Sequence, residues 1–323
     1  MESSKTQSPP VWPVPRPSPF AKVARTFAGE VDLTERQGAV MVAGSGVIFS
    51  STAIVYRAVD AASDWQFLAY RGGSTMLAML GLVALRRRSR PVRLSATTPR
   101  TVFAALLLAA ASMLYILALA RTSAATTLFL LAAAPIFAAI FGWVLLRERV
   151  RRPTLIAIGV TMIGVAVMVG TGLDAGSGVG VLIAALIPIL VGLYNVVLRA
   201  EGEIDPVMPA LIAGAALAAV SGAIAMVDTG LTISWHDAGL ATITGGLALG
   251  IGLPLFNLGH RSVPAAMVSL LLMTEVVLAP LWVWIWPGET PKLGTLIGGA
   301  IVLGAVVWLV LTSTDHDDVL LVS

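Results

Sequence analysis

Glu275 is the only one of the chain's eighteen carboxylates that falls inside a long hydrophobic span. The nearest charged residues are Arg261 and Glu289, so the carboxyl group lies about 20 Å along a helix from either end. An ionisable side chain at that depth in a membrane is costly, and it usually faces a water-filled cavity, a partner or a substrate. The position therefore predicts a residue that binds a ligand or exchanges a proton.

Arg71 is the second charge inside an apolar span, about 10 Å along the helix from Asp64. Its guanidinium either extends to the membrane surface or points into the interior. Two interpretations of the pair are open. Arg71 and Glu275 form a fixed ion pair that touches no substrate, or Glu275 exchanges a proton while Arg71 binds a carboxylate on the substrate.

Other polar and aromatic residues inside the apolar spans are weaker candidates for the same site. Trp282 follows Glu275 at helical spacing and is a candidate aromatic wall. The remaining candidates are Tyr194, Asn195, Asn257, Tyr115 and Ser51. Each of these five is also the type of residue that makes hydrogen bonds between membrane helices.

The composition indicates that these residues lie in a membrane protein. Hydrophobic residues make up 57% of the chain and charged residues 12%, whereas a soluble domain has about 25% charged residues. The absence of cysteine excludes disulfides and thiol chemistry, and no HExxH pair or phosphate-binding glycine loop is present. We therefore expect no enzyme activity, no cofactor or metal and no nucleic-acid partner. The three histidines, at 236, 260 and 316, are predicted to lie in loops or the C-terminal tail.

The apolar runs predict an all-α polytopic membrane protein with ten transmembrane helices, because roughly 20 apolar residues span the hydrocarbon layer. The predicted spans are 39–56, 65–85, 101–120, 124–146, 154–171, 178–198, 206–227, 238–259, 264–286 and 293–312. Connectors such as 121–123 and 261–263 are so short that the helices they join must be antiparallel neighbours.

The basic residues predict the orientation, because cytoplasmic loops are enriched in Lys and Arg. With a cytoplasmic N-terminus, seventeen of the twenty-one basic residues fall on the cytoplasmic side. Both termini are thus predicted to be cytoplasmic, in a protein of the cell inner membrane surrounded by lipid. Residues 1–38, with six prolines between Pro9 and Pro19, predict a disordered tail, and residues 313–323 a short second tail.

The two halves of the chain resemble each other at an offset of about 140 residues. Arg121 matches Arg261, and Asp64 matches Asp205. This predicts two five-helix repeats, at 39–171 and 178–312. Because five helices separate equivalent positions, the second copy must cross the membrane in the opposite sense, as in many secondary transporters. Glu275 aligns with Pro135 and Arg71 with Ile212, so neither charge is needed to build the repeat.

Two segments carry a family resemblance. Residues 118–150, ALARTSAATTLFLLAAAPIFAAIFGWVLLRERV, and residues 259–289, GHRSVPAAMVSLLLMTEVVLAPLWVWIWPGE, resemble the EamA-type family of the drug/metabolite transporter superfamily. The resemblance implies a ten-helix transporter that moves small metabolites through a central cavity, often with protons or by exchange, and relatives commonly have Glu at the place of Glu275. Many relatives have proline where this chain has Val276, so we expect the helix break at Pro280 instead.

These observations together predict a secondary active transporter for a small polar or zwitterionic metabolite, amino-acid or amine-like, that works by alternating access. Protons are the candidate coupling ion. One alternative is a broad-specificity exporter of hydrophobic cations or drugs, for which a lone acid in an apolar cavity is sufficient. The other is a non-transporting membrane scaffold or binding protein, whose central cavity is expected to be closed by side chains.

Overall fold

The computed structural model describes residues 33–87, 97–122, 124–170, 178–201, 205, 207–285 and 293–312. All regular structure in these ranges is helical, which confirms the predicted all-α class. Six helices are long and apolar enough to cross a membrane, and four shorter helices are also apolar. The predicted tails fall outside the described residues, apart from positions 33–38.

The described ranges contain fourteen α-helices and two π-helical stretches. The α-helices are α1 Glu35–Phe49, α2 Ser51–Arg57, α3 Asp64–Arg87, α4 Pro99–Arg121, α5 Ala124–Leu131, α6 Ala134–Phe141, α7 Arg152–Gly170, α8 Gly178–Glu201, α9 Met208–Asp228, α10 Trp235–Thr242, α11 Gly250–His260, α12 Ala265–Leu271, α13 Met273–Ile285 and α14 Leu293–Thr312. The π-helical stretches, Gly142–Leu146 and Ile243–Leu249, continue α6 and join α10 to α11.

Short polar motifs fix where several helices begin. The Thr34 hydroxyl accepts a hydrogen bond from the Gln37 amide while the Gln37 side chain accepts one from the Thr34 amide, so α1 starts with a capping box. Thr98 and Ser234 cap α4 and α10 in the same way through their hydroxyl groups. The helix α1 begins at Glu35, four residues before the predicted start of the first span.

Three of the predicted spans are interrupted. The span 39–56 is divided at Ser50, the span 124–146 by a turn at Ala132 and Ala133, and the span 264–286 at Leu272. The predicted break at Pro280 is wrong, since α13 continues through that residue to Ile285. The break occurs earlier because the Thr274 hydroxyl donates to the Leu271 carbonyl, and the Glu275 amide turns instead to the Leu272 carbonyl at 2.9 Å.

The two halves of the chain pack against each other through helix pairs: α3 contacts α9, α7 contacts α14, α4 contacts α8, and α1 contacts α11. Glycines permit the closest of these contacts. A Cβ atom added at Gly72 would lie 2.5 Å from the Ala218 backbone nitrogen and 2.8 Å from the Gly214 carbonyl oxygen. Close approach through small residues is a common way for membrane helices to associate, since hydrocarbon gives them no hydrophobic driving force.

A buried carboxylate joins the halves at one end of the bundle. Asp237, fully buried in the first turn of α10, accepts hydrogen bonds from the amides of Asp60, Ala61 and Ala62 at 2.9–3.1 Å. The Gln66 side chain donates to the Gly230 carbonyl at 2.9 Å in the same region. The loop between α2 and α3 is therefore held against the loop that precedes α10.

Replacement of Gly72 by alanine tests the tight contact between α3 and α9. We expect Gly72→Ala to destabilise the purified protein by about 1–3 kcal/mol, because the added methyl group overpacks the Gly214 backbone. Gly73→Ala is the matched control, since nothing lies within 4 Å of a Cβ atom at Gly73. The control should match or exceed the wild type in melting temperature, because alanine favours helix more than glycine does. Equal melting temperatures for the two variants would contradict the contact.

Candidate functional site

A cavity of about 130 Å³ lies inside the bundle and is lined by residues from both halves of the chain. At roughly 30 Å³ for each water molecule, this volume holds about four of them, which is room for a small ligand. Its walls are mainly apolar and aromatic, and its polar groups are few. The polar and aromatic lining residues are Phe49, Thr52, Arg71, Ser112, Tyr115, Tyr194, Asn195, Phe256, Ser269 and Glu275.

Arg71 enters the cavity from a rigidly held turn of α3. Its carbonyl oxygen accepts hydrogen bonds from the hydroxyls of Ser74, at 3.0 Å, and Thr75, at 2.9 Å. The π-helical stretch that contains Gly245 packs directly on this turn, so closely that a side chain at 245 would collide with the Arg71 backbone. Such π-helical insertions are frequent at functional sites. The backbone of Arg71 is therefore fixed.

The Arg71 guanidinium is buried, with 4% of the residue exposed, yet it lacks most of its hydrogen bonds. Among the described residues, no group accepts a hydrogen bond from its Nε or Nη1 atom. A fixed bidentate ion pair with Glu275 is therefore not formed, although Glu275 and Tyr115 are close enough to interact electrostatically with Arg71. A buried donor without an acceptor costs about 1–3 kcal/mol, more when charged, so the free guanidinium favours an anionic ligand.

Glu275 is the third residue of α13, in the first turn after the break at Leu272. The Glu275 amide bonds the Leu272 carbonyl, and the positive end of the α13 dipole favours a carboxylate at this position. The helix is held along the first one at two points. The Thr274 hydroxyl donates to the Ala43 carbonyl at 3.2 Å, and the Trp282 indole N–H donates to the Ser50 hydroxyl at 2.7 Å. The break and these two bonds position the carboxylate in the cavity wall.

A second polar group in the lining is formed by Asn195 of α8 and Ser269 of α12. The Asn195 Nδ2 donates to the Ser269 Oγ at 2.6 Å. Asn195 is fully buried, and within the described part of the chain its Oδ1 has no hydrogen-bond donor. Next to it, the Tyr194 ring stacks on Phe256 with 6.0 Å between ring centroids, while its hydroxyl donates to Asn257 at 2.8 Å.

Comparison with known proteins shows similarity to a transporter family and to a solved structure. Residues 36–170 match the model of the EamA-like transporter family. The match covers 135 of the 323 residues, so the similarity to that family concerns the first half of the chain. A solved structure titled "Crystal structure of protein" is similar with a TM-score of 0.71 and 18% identity, over 86% of this chain and 99% of that one. At this identity the similarity concerns the fold alone. No functionally curated protein matches the sequence.

The family comparison confirms the resemblance predicted from the sequence and identifies a multi-pass membrane protein of the transporter type. The matched residues include the first of the two segments that carried the resemblance, 118–150, together with Arg71 and Tyr115. The second segment, 259–289, contains Glu275 and lies beyond the match. For that segment the resemblance stays a prediction.

Five of the eight predicted site residues line the cavity: Glu275, Arg71, Tyr115, Tyr194 and Asn195. The other three lie outside its lining. Trp282 is bonded to Ser50, Asn257 supports Tyr194, and the Ser51 hydroxyl donates to the Ile48 carbonyl of its own helix at 2.8 Å. Binding of substrate by any of the eight stays a prediction.

Three residues of the chain lie elsewhere than the sequence indicated. Ser269 lines the cavity, although six positions on one continuous helix would turn it away from Glu275. The break at Leu272 places Ser269 on the cavity wall. No signal in the sequence located that break. His260 was predicted in a loop, but it is the last residue of α11, only 1% exposed, with its ring edge against Phe256. That prediction is wrong because α11 continues up to the connector 261–263. His236 was also predicted in a loop, but it is the second residue of α10.

The burial of the Arg71 guanidinium predicts how its removal changes the stability of the ligand-free protein. We expect Arg71→Met to raise the melting temperature by about 2–5 °C, because the variant removes a buried, unpaired charge and keeps the volume. Arg121→Met is the matched control, because that guanidinium forms an ion pair with Asp64 at 3.1 Å and is partly exposed. Thermal unfolding in detergent measures both. A fall in stability for Arg71→Met would mean that the guanidinium has structural partners.

Proposed function

We propose that the protein is a secondary active transporter that moves a small zwitterionic metabolite, of the amino-acid class, across the inner membrane by alternating access. One observation carries the proposal: a carboxyl group lines the same cavity as a guanidinium whose Nε and Nη1 atoms have no acceptor among the described residues. A zwitterion supplies a carboxylate for Arg71 and an ammonium group for Glu275. Charge–charge contacts with both ends of the substrate offset the cost of removing it from water.

The cavity walls suit the same class of compound. Phe49, Tyr115, Tyr194 and Phe256 present aromatic faces or edges to the cavity, and aromatic faces attract ammonium groups. The volume excludes large substrates, since about 130 Å³ is well below the several hundred Å³ of a typical drug site. We propose Glu275 as the residue that holds either the ammonium group or a proton, so that protons and substrate compete for it.

The helix contacts support the proposed pair of inverted repeats, 39–171 and 178–312. Under the offset of about 140 residues, α3 corresponds to α9 and α7 to α14, and each helix packs against its own counterpart. The pair α4 and α8 corresponds likewise to the pair α11 and α1. The interruptions after Leu131 and Leu271 also fall at equivalent positions. Such an arrangement around a central cavity suits alternating access.

The alternatives predict different cavities. An exporter of hydrophobic cations needs the acid and the apolar walls, but a buried guanidinium beside them would repel its substrate. A non-transporting scaffold needs no cavity, and side chains would fill the space that is open between the halves. The basic residues of the sequence favour cytoplasmic N- and C-termini for the transporter.

Reconstitution in liposomes tests the proposal. Wild-type protein should take up a labelled neutral amino acid into liposomes and should move protons outward in exchange for it. Glu275→Gln should lose at least about nine-tenths of the substrate-dependent proton flux, because glutamine cannot exchange a proton. Glu35→Gln is the matched control, since Glu35 lies at the start of α1 and pairs with Arg151 outside the cavity. Full proton-coupled uptake by Glu275→Gln would assign Glu275 a structural role.

A further inference from the structure

Asn195 and Ser269 stand apart from the charged residues of the cavity. Ser269 precedes Glu275 by six residues, which corresponds to about 9 Å along the helix axis. The break at Leu272 lies between them and brings both onto the cavity wall. The cavity therefore has a charged end at Arg71 and Glu275 and a neutral, hydrogen-bonding end at Asn195 and Ser269.

The neutral end is incompletely bonded. The Asn195 amide uses its Nδ2 group to donate to Ser269, which leaves Oδ1 as a buried acceptor without a donor. A buried acceptor of this kind costs about as much as a lost hydrogen bond. The Ser269 hydroxyl can either accept from Nδ2 or donate to Oδ1, so both orientations of the amide keep the 2.6 Å bond that joins α8 to α12. In the orientation of the structure, Oδ1 is the polar atom without a donor among the described residues, and Asn195 lines the cavity.

From this geometry we propose that Asn195 and Ser269 form a specificity subsite for a hydrogen-bond donor on the substrate's side chain. The inference rests on the proposed function and narrows the class of substrates. The preferred substrates are small zwitterions that carry a hydroxyl or amide group, and aliphatic zwitterions of the same shape bind more weakly. A site that offers a fixed hydrogen bond discriminates strongly against an analogue without the group, because its own polar atom then stays unpaired.

Two pairs of amino acids with matched shapes provide the probes. Threonine differs from valine, and asparagine from leucine, mainly by the presence of a hydroxyl or amide group. The concentration of each that gives half-maximal inhibition of counterflow is measured in liposomes with wild-type protein. We expect threonine and asparagine to act at concentrations about ten- to hundredfold lower than valine and leucine.

The variant Asn195→Leu should abolish this preference while it still binds valine and leucine, because the charged end of the cavity is unchanged. Asn257→Leu is the matched control. It removes the other asparagine of the chain, which is buried and bonded to Tyr194 but is not part of the cavity lining. The control should keep the ratio between threonine and valine even if its stability falls.

The outcomes separate the inference from the proposed function. Equal inhibition by threonine and valine in the wild type would overturn the subsite, whereas the inhibition itself would still support the proposed function. Persistence of the threonine preference in Asn195→Leu would also overturn the subsite. Absence of counterflow with all four compounds would overturn the proposed function and the subsite together.

Discussion

An unpaired backbone amide in hydrocarbon costs several kcal/mol, and this cost governs the architecture of the chain. Helices satisfy their own amides and carbonyls, so the apolar sequence folds into helices throughout the described residues. The side chains that face outward can then be apolar, as Trp235 and Val227 are, with 94% and 91% of their surface exposed. Such a surface is stable only against lipid.

The same constraint explains where the site lies. A helix can be interrupted inside a membrane only where the freed backbone groups face protein or a cavity. At Leu272 the interruption is paid for by hydrogen bonds of Thr274 with the Leu271 and Ala43 carbonyls. The carboxyl group of Glu275 is thereby placed at a helix N-terminus. The helix interruption, the cavity and the Glu275 carboxyl group therefore lie at the same place in the bundle.

Much of the fold was predictable because hydrophobic length and short connectors determine helix positions. The ends of the last span, 293–312, coincide with those of α14, and the Ser234 and Thr98 caps are recognisable in the sequence. The break at Leu272 was not predictable. Its local hydrogen bonds are accompanied by one between Thr274 and Ala43, residues 231 positions apart, whereas Pro280 gave the stronger local signal.

The sequence identified the charged residues of the candidate site but not the contacts between its residues. Arg71 and Glu275 are conspicuous because a charge is rare in an apolar span. Asn195 was identified as a polar residue, but its unpaired oxygen depends on where Ser269 lies. Trp282 follows Glu275 at helical spacing, yet it is bonded to Ser50 because α13 runs along α1. Periodicity places a side chain on a face of a helix, but only the neighbouring helix determines what that face meets.

The break at Leu272 also separates two helical registers. The helices α12 and α13 do not share one continuous set of faces, so a change within α12 alters the residue that meets Asn195 without rotating Glu275. Likewise, a change within α13 leaves Ser269 in place. In a protein built this way, the charged end of the cavity and the neutral end can evolve independently, and one fold can keep its handling of charge while it exchanges one substrate for another.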